Sequence, residues 1–368
     1  MTNFYHRASP GQTVPKILGL TASPLMKSNP ESLDQIESIL SSICRTPTLH
    51  RAELKEHVQM PNFESVFYDD NSPRSIIPHT ATMTKLLKVL GTLNIHEDPY
   101  VVSLKRDDSD RAKRQLAKVL LNHKTWTREQ INRVYRTSEV MNTELGSFAV
   151  DYYIRRVVKN CESLTLATGI DGFGMQEVSS AEKQYLVDAL HQVIPVGEVD
   201  DKDNKAPSVS YKVSKLIDIL VRQHDTTRGI VFVNQRATAE VLAAILKRHN
   251  ITKNKFSFGT FVGNSMTAHR TREVAHVVDF AAQKNVLHRF RNGDLNIVIA
   301  TDVLEEGIDV PACNLVICFD CPKNLKSFVQ RRGRARQKSS KLIMLFDSQM
   351  DGRKLREFQA LEENMKQL

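Results

Sequence analysis

Five short apolar runs crowd the last third of this 368-residue chain, and they restrict its fold more than any other feature. They are GIVFVN (229–234), FSFGTFVG (256–263), NIVIAT (296–301), LVICFD (315–320) and KLIMLFD (341–347). Most are rich in β-branched or aromatic residues and show no alternation of apolar with polar. A strand that is apolar on both faces must be covered on both faces, as in parallel sheets flanked by helices. The intervening stretches ATAEVLAAILKRHN, QKNVLHRFRNG and NLKSFVQRRGRAR read as helices. The expectation is an α/β fold whose working residues occupy loops beyond the carboxyl ends of the strands.

The middle of the chain follows another period. From about residue 76 to 195 apolar residues recur at helical spacing, and Ile131, Val134, Met141, Leu145, Phe148 and Tyr152 form one stripe. That stripe reads as the core of a helix bundle, with Thr127 and Gln130 as a capping box at its start. VGEVDDKDNKAP (196–207) is polar, ends in proline and reads as a linker. Near the N-terminus, KILGLTASP (16–24) reads as a buried strand running into a polar loop, followed by the helical ESLDQIESILSSIC. One strand and one helix cannot bury both faces, so this segment reads as the tail end of a further α/β domain.

Composition narrows the class. Hydrophobic residues make up 41% and charged residues 25%, as in soluble globular proteins. A net charge of +9 favours a polyanionic partner. No apolar run approaches the length needed to span a bilayer, and MTNFYHRASP lacks the apolar centre of a signal peptide. Five cysteines, an odd and sparse set, fit a reducing compartment, so the expected location is cytoplasmic or nuclear. Cys318 and Cys321 form a lone C-x-x-C that reads as a packed strand end; no metal site is expected.

QRRGRAR (330–336) packs four arginines into seven positions. From the residues alone it could be a solvated face, a nucleic-acid stripe or a phosphate clamp. Its neighbours set the context: LTASP (20–24), FVNQRATAEVL (232–242), TFVGN (260–264) and IATDVLEEGIDVPACN (299–314), each at a strand's carboxyl end or opening a helix.

In this order the series resembles motifs III, IV, IVa, V and VI of superfamily-2 helicases. The helical block narrows the resemblance to Dicer enzymes and related RNA-sensing helicases. TELGSFAVDYYI (143–154) and REFQALEENMKQL (356–368) resemble fungal Dicer-like proteins, particularly the antiviral type. The resemblance implies a RecA-like parallel-sheet domain (helicase C-terminal), an all-α helical insertion and the tail end of a first RecA-like domain. The implied boundaries are 1–75 for that tail, 76–207 for the insertion and linker, 208–348 for the second RecA-like domain and 349–368 for the start of a connecting helix. It also implies site residues. Thr21 and Ser23 would couple the nucleotide site to RNA. Asn234, Gln235, Gly263, Asn264 and Thr301 would lie against the RNA backbone. Gly307 and Asp309 would sit near the nucleotide. Gln330, Arg334 and Arg336 would face it, the arginines as fingers on the γ-phosphate, because a guanidinium fork meets phosphate oxygens bidentately. Arg331 is expected to face solvent or neighbouring acidic groups, with a mild alanine variant.

Neither G-x-x-x-x-G-K-[ST] nor an Asp-Glu-x-His run occurs in the sequence, and no acid-rich RNase III signature is present. The expectation is therefore part of a Dicer-like ATP-dependent RNA helicase and endoribonuclease that recognises and processes double-stranded RNA in RNA silencing and antiviral defence. The intact enzyme would use ATP and Mg2+, and this chain alone would not hydrolyse ATP. Its implied partners are double-stranded RNA, the other RecA-like half and nuclease domains, with no membrane. Three alternatives stand beside this: an RNA-sensing helicase without nuclease, a DNA-remodelling helicase, and a non-catalytic RNA-binding regulator.

Overall fold

The computed structural model describes residues 31–40, 43, 49, 53, 60–68, 78–166, 178–194, 207–263, 285–305, 307–348, 353 and 356–360. KILGLTASP and most of the 196–207 linker lie outside these residues. The chain divides into two compact units. One comprises Met1–Asp69, Thr226–Asn234 and Leu287–Leu368; the other comprises Asp70–Asp225 and Gln235–Val286.

The first unit is built on a parallel sheet. Its strands are β1 (Asn62–Tyr68), β2 (Gly229–Phe232), β4 (Ile297–Ala300), β5 (Leu315–Cys318) and β6 (Lys341–Asp347). They lie in the order β1-β6-β5-β2-β4, and β2 is the parallel neighbour of both β4 and β5. Every residue of β2, β4 and β5 is buried, which is why these strands read as unbroken apolar runs. Full burial of each Val or Ile here contributes roughly 1.5–3 kcal/mol of transfer free energy. Helix α1 (Glu31–Leu40) precedes β1, α10 (Val286–Asn292) precedes β4 and α11 (Leu325–Arg332) follows β5 in the chain. Arg228, just ahead of β2, lies over the ring of Phe290 in α10.

β1 was not visible in the sequence. It pairs with β6 over its whole length, from Asn62 beside Lys341 to Tyr68 beside Asp347. Its residues are mostly exposed, with Phe67 51% accessible even though its ring lies 5.8 Å from that of Phe346. Near the end of the chain, Phe358 stacks on Phe328 of α11.

The second unit is mainly helical. Its helices are α2 (Ala81–Thr92), α3 (Pro99–Arg106), α4 (Asp110–Asn122), α5 (Trp126–Leu145), α6 (Ser147–Leu166), α7 (Ser180–His191), α8 (Tyr211–Val221) and α9 (Arg236–Arg248). It also carries β3 (Phe258–Phe261), tied to α9 by the Thr260 hydroxyl donating to Glu240 at 2.8 Å. The stripe from Ile131 to Tyr152 proves to be two stripes. Ile131, Val134, Met141 and Leu145 are buried on α5, but the helix stops at Gly146 and the phase resets. On α6 the buried face is Ala149, Val150, Tyr153, Ile154, Val157 and Val158. Phe148 and Tyr152 are only half-buried and stack on each other, with Arg248 over the Tyr152 ring.

The cap of α5 also differs from expectation. Thr125 is the N-cap, its hydroxyl accepting from the amide of Arg128, whereas Thr127 and Gln130 are buried side chains within the helix. The break between α5 and α6 has a clear cause. Gly146 takes φ 104°, and a Cβ there would come within 2.8 Å of the Ser210 amide nitrogen. Ser210 in turn donates its hydroxyl to the carbonyl of Glu144 at 2.6 Å and caps α8. Lys212, in the first turn of α8, forms an ion pair with the Glu144 carboxylate.

Candidate nucleotide-facing arginine cluster

Register brings three loops together at the carboxyl ends of the first unit's strands. Phe232 stands beside both Ala300 and Cys318, so the chain leaves β2, β4 and β5 at the same level. Val233 still bonds to the Ala300 carbonyl, and Asn234 then donates its amide to Asp320 Oδ2 at 2.7 Å. The last turn of α11 lies against these ends. Asn324 caps that helix by accepting from the Ser327 amide, and Leu325, Phe328 and Arg331 lie on its buried side.

Arg331 is 1% exposed and corrects the solvent-facing expectation. Its Nε donates to Glu305 Oε1 at 2.8 Å, Nη1 to the Asp320 carbonyl at 2.9 Å and Nη2 to Asn234 Oδ1 at 3.3 Å. Its guanidinium also lies over the Phe232 ring. One buried side chain thus holds all three strand-end loops. Burial works against its charge, but Cys318 and the Glu305 carboxylate outweigh it and hold its pKa above the ordinary value. The acidic neighbour foreseen in the sequence is present; the solvent is not.

Arg334 stands differently. It is 7% exposed, and its guanidinium is held by two backbone carbonyls, Nη1 to Ile308 at 3.0 Å and Nη2 to Glu305 at 2.9 Å. Among the described residues no carboxylate forms an ion pair with it. Burial lowers its pKa from the ordinary value, and the nearby positive charge of Arg336 adds to this. Arg336 is exposed, and its Nε donates to the Gly333 carbonyl at 2.8 Å. Two cationic forks therefore stand together, one at the surface and one just beneath it.

The loop that Arg334 grips contains Gly307, which takes φ 77° and has open space where a Cβ would be. Asp309 follows it, highly exposed, its carbonyl accepting from Arg291 Nη2 at 2.6 Å. Thr301 is buried immediately after β4, where its carbonyl begins a short 3-10 turn over Asp302–Leu304. Gln330 lies half-buried in the last turn of α11. Asn234 is half-buried, its amide directed to Arg331 and, at 3.4 Å, to the Cys321 carbonyl. These residues belong to one unit, and the chain gathers them beyond the carboxyl ends of its strands. Gln235 and Gly263 belong to the other unit: Gln235 is exposed at the N-cap of α9, and Gly263 lies two residues beyond β3. Thr21, Ser23 and Asn264 lie outside the described residues. Cys318 ends β5 fully buried, its thiol pushed up to about 11 by burial.

Sequence reasoning missed Glu305 and Asp320 and misplaced Arg331. A signal for the last was available. Leu325, Phe328 and Arg331 are spaced by three, which puts Arg331 on the helix's apolar side.

Residues 211–338 match the family model described as Helicase conserved C-terminal domain. Together with the parallel sheet and its strand-end loops, this identifies a helicase C-terminal domain of RecA-like fold over that part of the chain. The chain is 38% identical over 370 residues to Dicer-like protein 2 of Aspergillus terreus, covering 99% of this chain and 26% of that protein. It is 37% identical over 375 residues to Dicer-like protein 2 of Cryphonectria parasitica, covering 100% of this chain and 25% of that protein. The chain is similar to one region of these Dicer-like proteins and spans about a quarter of their length. Among solved structures it is similar to the crystal structure of the Pyrococcus furiosus Hef helicase domain, at 19% identity and TM-score 0.40, over 92% of this chain and 66% of that one. Among the described residues no helix is long and apolar enough to cross a membrane.

Proposed function

We propose that this chain supplies the second RecA-like part of an ATP-dependent RNA helicase that acts on double-stranded RNA in RNA silencing and antiviral defence. Arg334 and Arg336 meet the γ-phosphate of ATP, Gln330 lies beside the nucleotide, and Gly307 and Asp309 form the adjoining loop. Asn234, Gln235, Gly263, Asn264 and Thr301 face the RNA backbone, while Thr21 and Ser23 couple the two sites. The other RecA-like half and nuclease domains complete the enzyme.

One observation carries the nucleotide assignment: Arg334 is a nearly buried cation whose guanidinium, among the described residues, hydrogen-bonds only to backbone carbonyls, beside a second, exposed arginine. Carbonyls orient a guanidinium without neutralising it, and the remaining charge suits a phosphate. Bound ATP would bring the phosphoryl group to be transferred; the chain's own residues fit the part of orienting and stabilising it. Among the described residues no cluster of three or more His, Cys, Asp or Glu side chains could hold a metal ion. This 368-residue chain alone is expected to release no phosphate from ATP, since its sequence carries no phosphate-cradling motif. The test is ATP turnover and RNA affinity measured side by side for Arg334→Ala in the full-length enzyme. Weakened RNA binding with intact turnover would make the cluster a nucleic-acid stripe and overturn the assignment.

A further inference from the structure

We infer that Arg331 and Glu305 are positioning residues that tie the RNA-facing loop after β2 to the nucleotide-facing Arg334, an inference that rests on the reading above. The path is short and continuous. Asn234 Oδ1 accepts from Arg331 Nη2 at 3.3 Å, Arg331 Nε donates to Glu305 Oε1 at 2.8 Å, and the Glu305 carbonyl accepts from Arg334 Nη2 at 2.9 Å. Glu305 therefore serves both arginines, one through its carboxylate and the other through its backbone.

Three features make this more than ordinary packing. Arg331 and Glu305 are both buried, so water cannot substitute for either partner. Arg331 uses three different nitrogens on three different loops, which fixes it in rotation as well as position. Asp320 closes the circuit: its carboxylate accepts from the Asn234 amide while its carbonyl accepts from Arg331. A shift of Asn234 must therefore move Arg331, or break a buried bond that nothing replaces. In this reading Arg331 and Glu305, both buried, are not themselves the groups that touch ATP or RNA. They set where the residues that do so stand.

The test uses the full-length enzyme with Glu305→Gln and Arg331→Lys, chosen because each keeps volume and some hydrogen bonding. Circular dichroism and thermal melting first establish the folded fraction. The readouts are then kcat and KM for ATP and the RNA concentration giving half-maximal stimulation. Misplacing a reacting group by an ångström lowers rates on the order of a hundredfold. The expected result is a kcat loss approaching that size with KM for ATP unchanged, together with a higher RNA requirement. Arg331→Lys should retain more activity than Arg331→Met, because the ammonium still reaches one partner. Wild-type kcat and RNA requirement in the folded Glu305→Gln enzyme would overturn the inference, and so would loss of fold in both conservative variants, since the contact would then serve stability alone. If Arg334→Ala abolishes turnover while Glu305→Gln behaves as wild type, this inference falls and the proposed function stands. If Arg334→Ala leaves turnover intact, the proposed function falls first.

Discussion

Arg331 and Glu305 form an ion pair at 2.8 Å with both side chains buried. Removing one partner leaves the other charged and stranded, which is far worse than never having had the pair. Arg331→Ala should therefore destabilise the first unit by about 3–5 kcal/mol. Urea denaturation of this chain followed by tryptophan-independent circular dichroism measures it, and a loss below about 1 kcal/mol, the range of surface pairs, contradicts the burial described.

Gly146 and Gly91 should respond to alanine with opposite signs. Gly146 has φ 104° and backbone atoms of 208–210 where a Cβ would go, so Gly146→Ala should destabilise by roughly 1–3 kcal/mol from strain alone. Gly91 lies in α2 with nothing within 4 Å of a Cβ, so Gly91→Ala should stabilise by about 0.5–1 kcal/mol. Thermal melts of the two variants against the parent give the answer.

Arg334→Ala in the full-length enzyme should lower ATP turnover on the order of a thousandfold and spare RNA affinity. Arg334→Lys should recover little. An ammonium keeps the charge but cannot bond the Glu305 and Ile308 carbonyls and a phosphate with one planar fork. Steady-state phosphate release against RNA titration separates the two effects.

Burial pushes the Cys313 thiol up to about 12 and the Cys318 thiol up to about 11. Between the unfolded thiol value and these, the native protein holds protons that the unfolded chain has lost. Stability from these groups is complete below about pH 8.5 and declines as pH rises through about 11 and about 12. Chemical denaturation at successive pH values should show this fall. In the native protein at pH 8, half-buried Cys321 should react with an alkylating reagent well before Cys318.

Binding of double-stranded RNA by this chain should weaken steeply as salt rises and show no sequence preference. The proposed contacts are to backbone, and the net charge of +9 acts through counterion release. A fluorescence-anisotropy titration across salt concentrations tests it; affinity indifferent to salt rejects the contact set.

What the sequence made legible follows from how each residue is paid for locally or at a distance. β6 was read with its observed bounds, and β2, β4 and β5 to within two residues at either end, because strands buried on both faces leave unbroken apolar runs. β1 left no such trace: its NFESVFY is mostly exposed and gains its place from a partner far along the chain. The stop at Gly146 was missed because an apolar stripe continues through it in the sequence while the backbone turns. The arginine run posed the sharpest limit. Arg331, Arg334 and Arg336 are chemically alike, and only their distances to Glu305, Ile308 and Gly333 assign one to the interior, one to the loop and one to the surface.

The pairing of β1 with β6 also sets an order of events at the ribosome. Tyr68 emerges well ahead of its neighbour strand, which begins at Lys341, so roughly 270 residues must be synthesised before the pairing can form. At usual elongation rates that is a wait on the order of tens of seconds, during which Phe63 and Phe67 remain without their sheet. Closure over such a separation is also among the slower steps a chain can take. Among the described strands, the first made is thus one of the last to be seated, and a chaperone acting on the nascent chain would have its longest opportunity there.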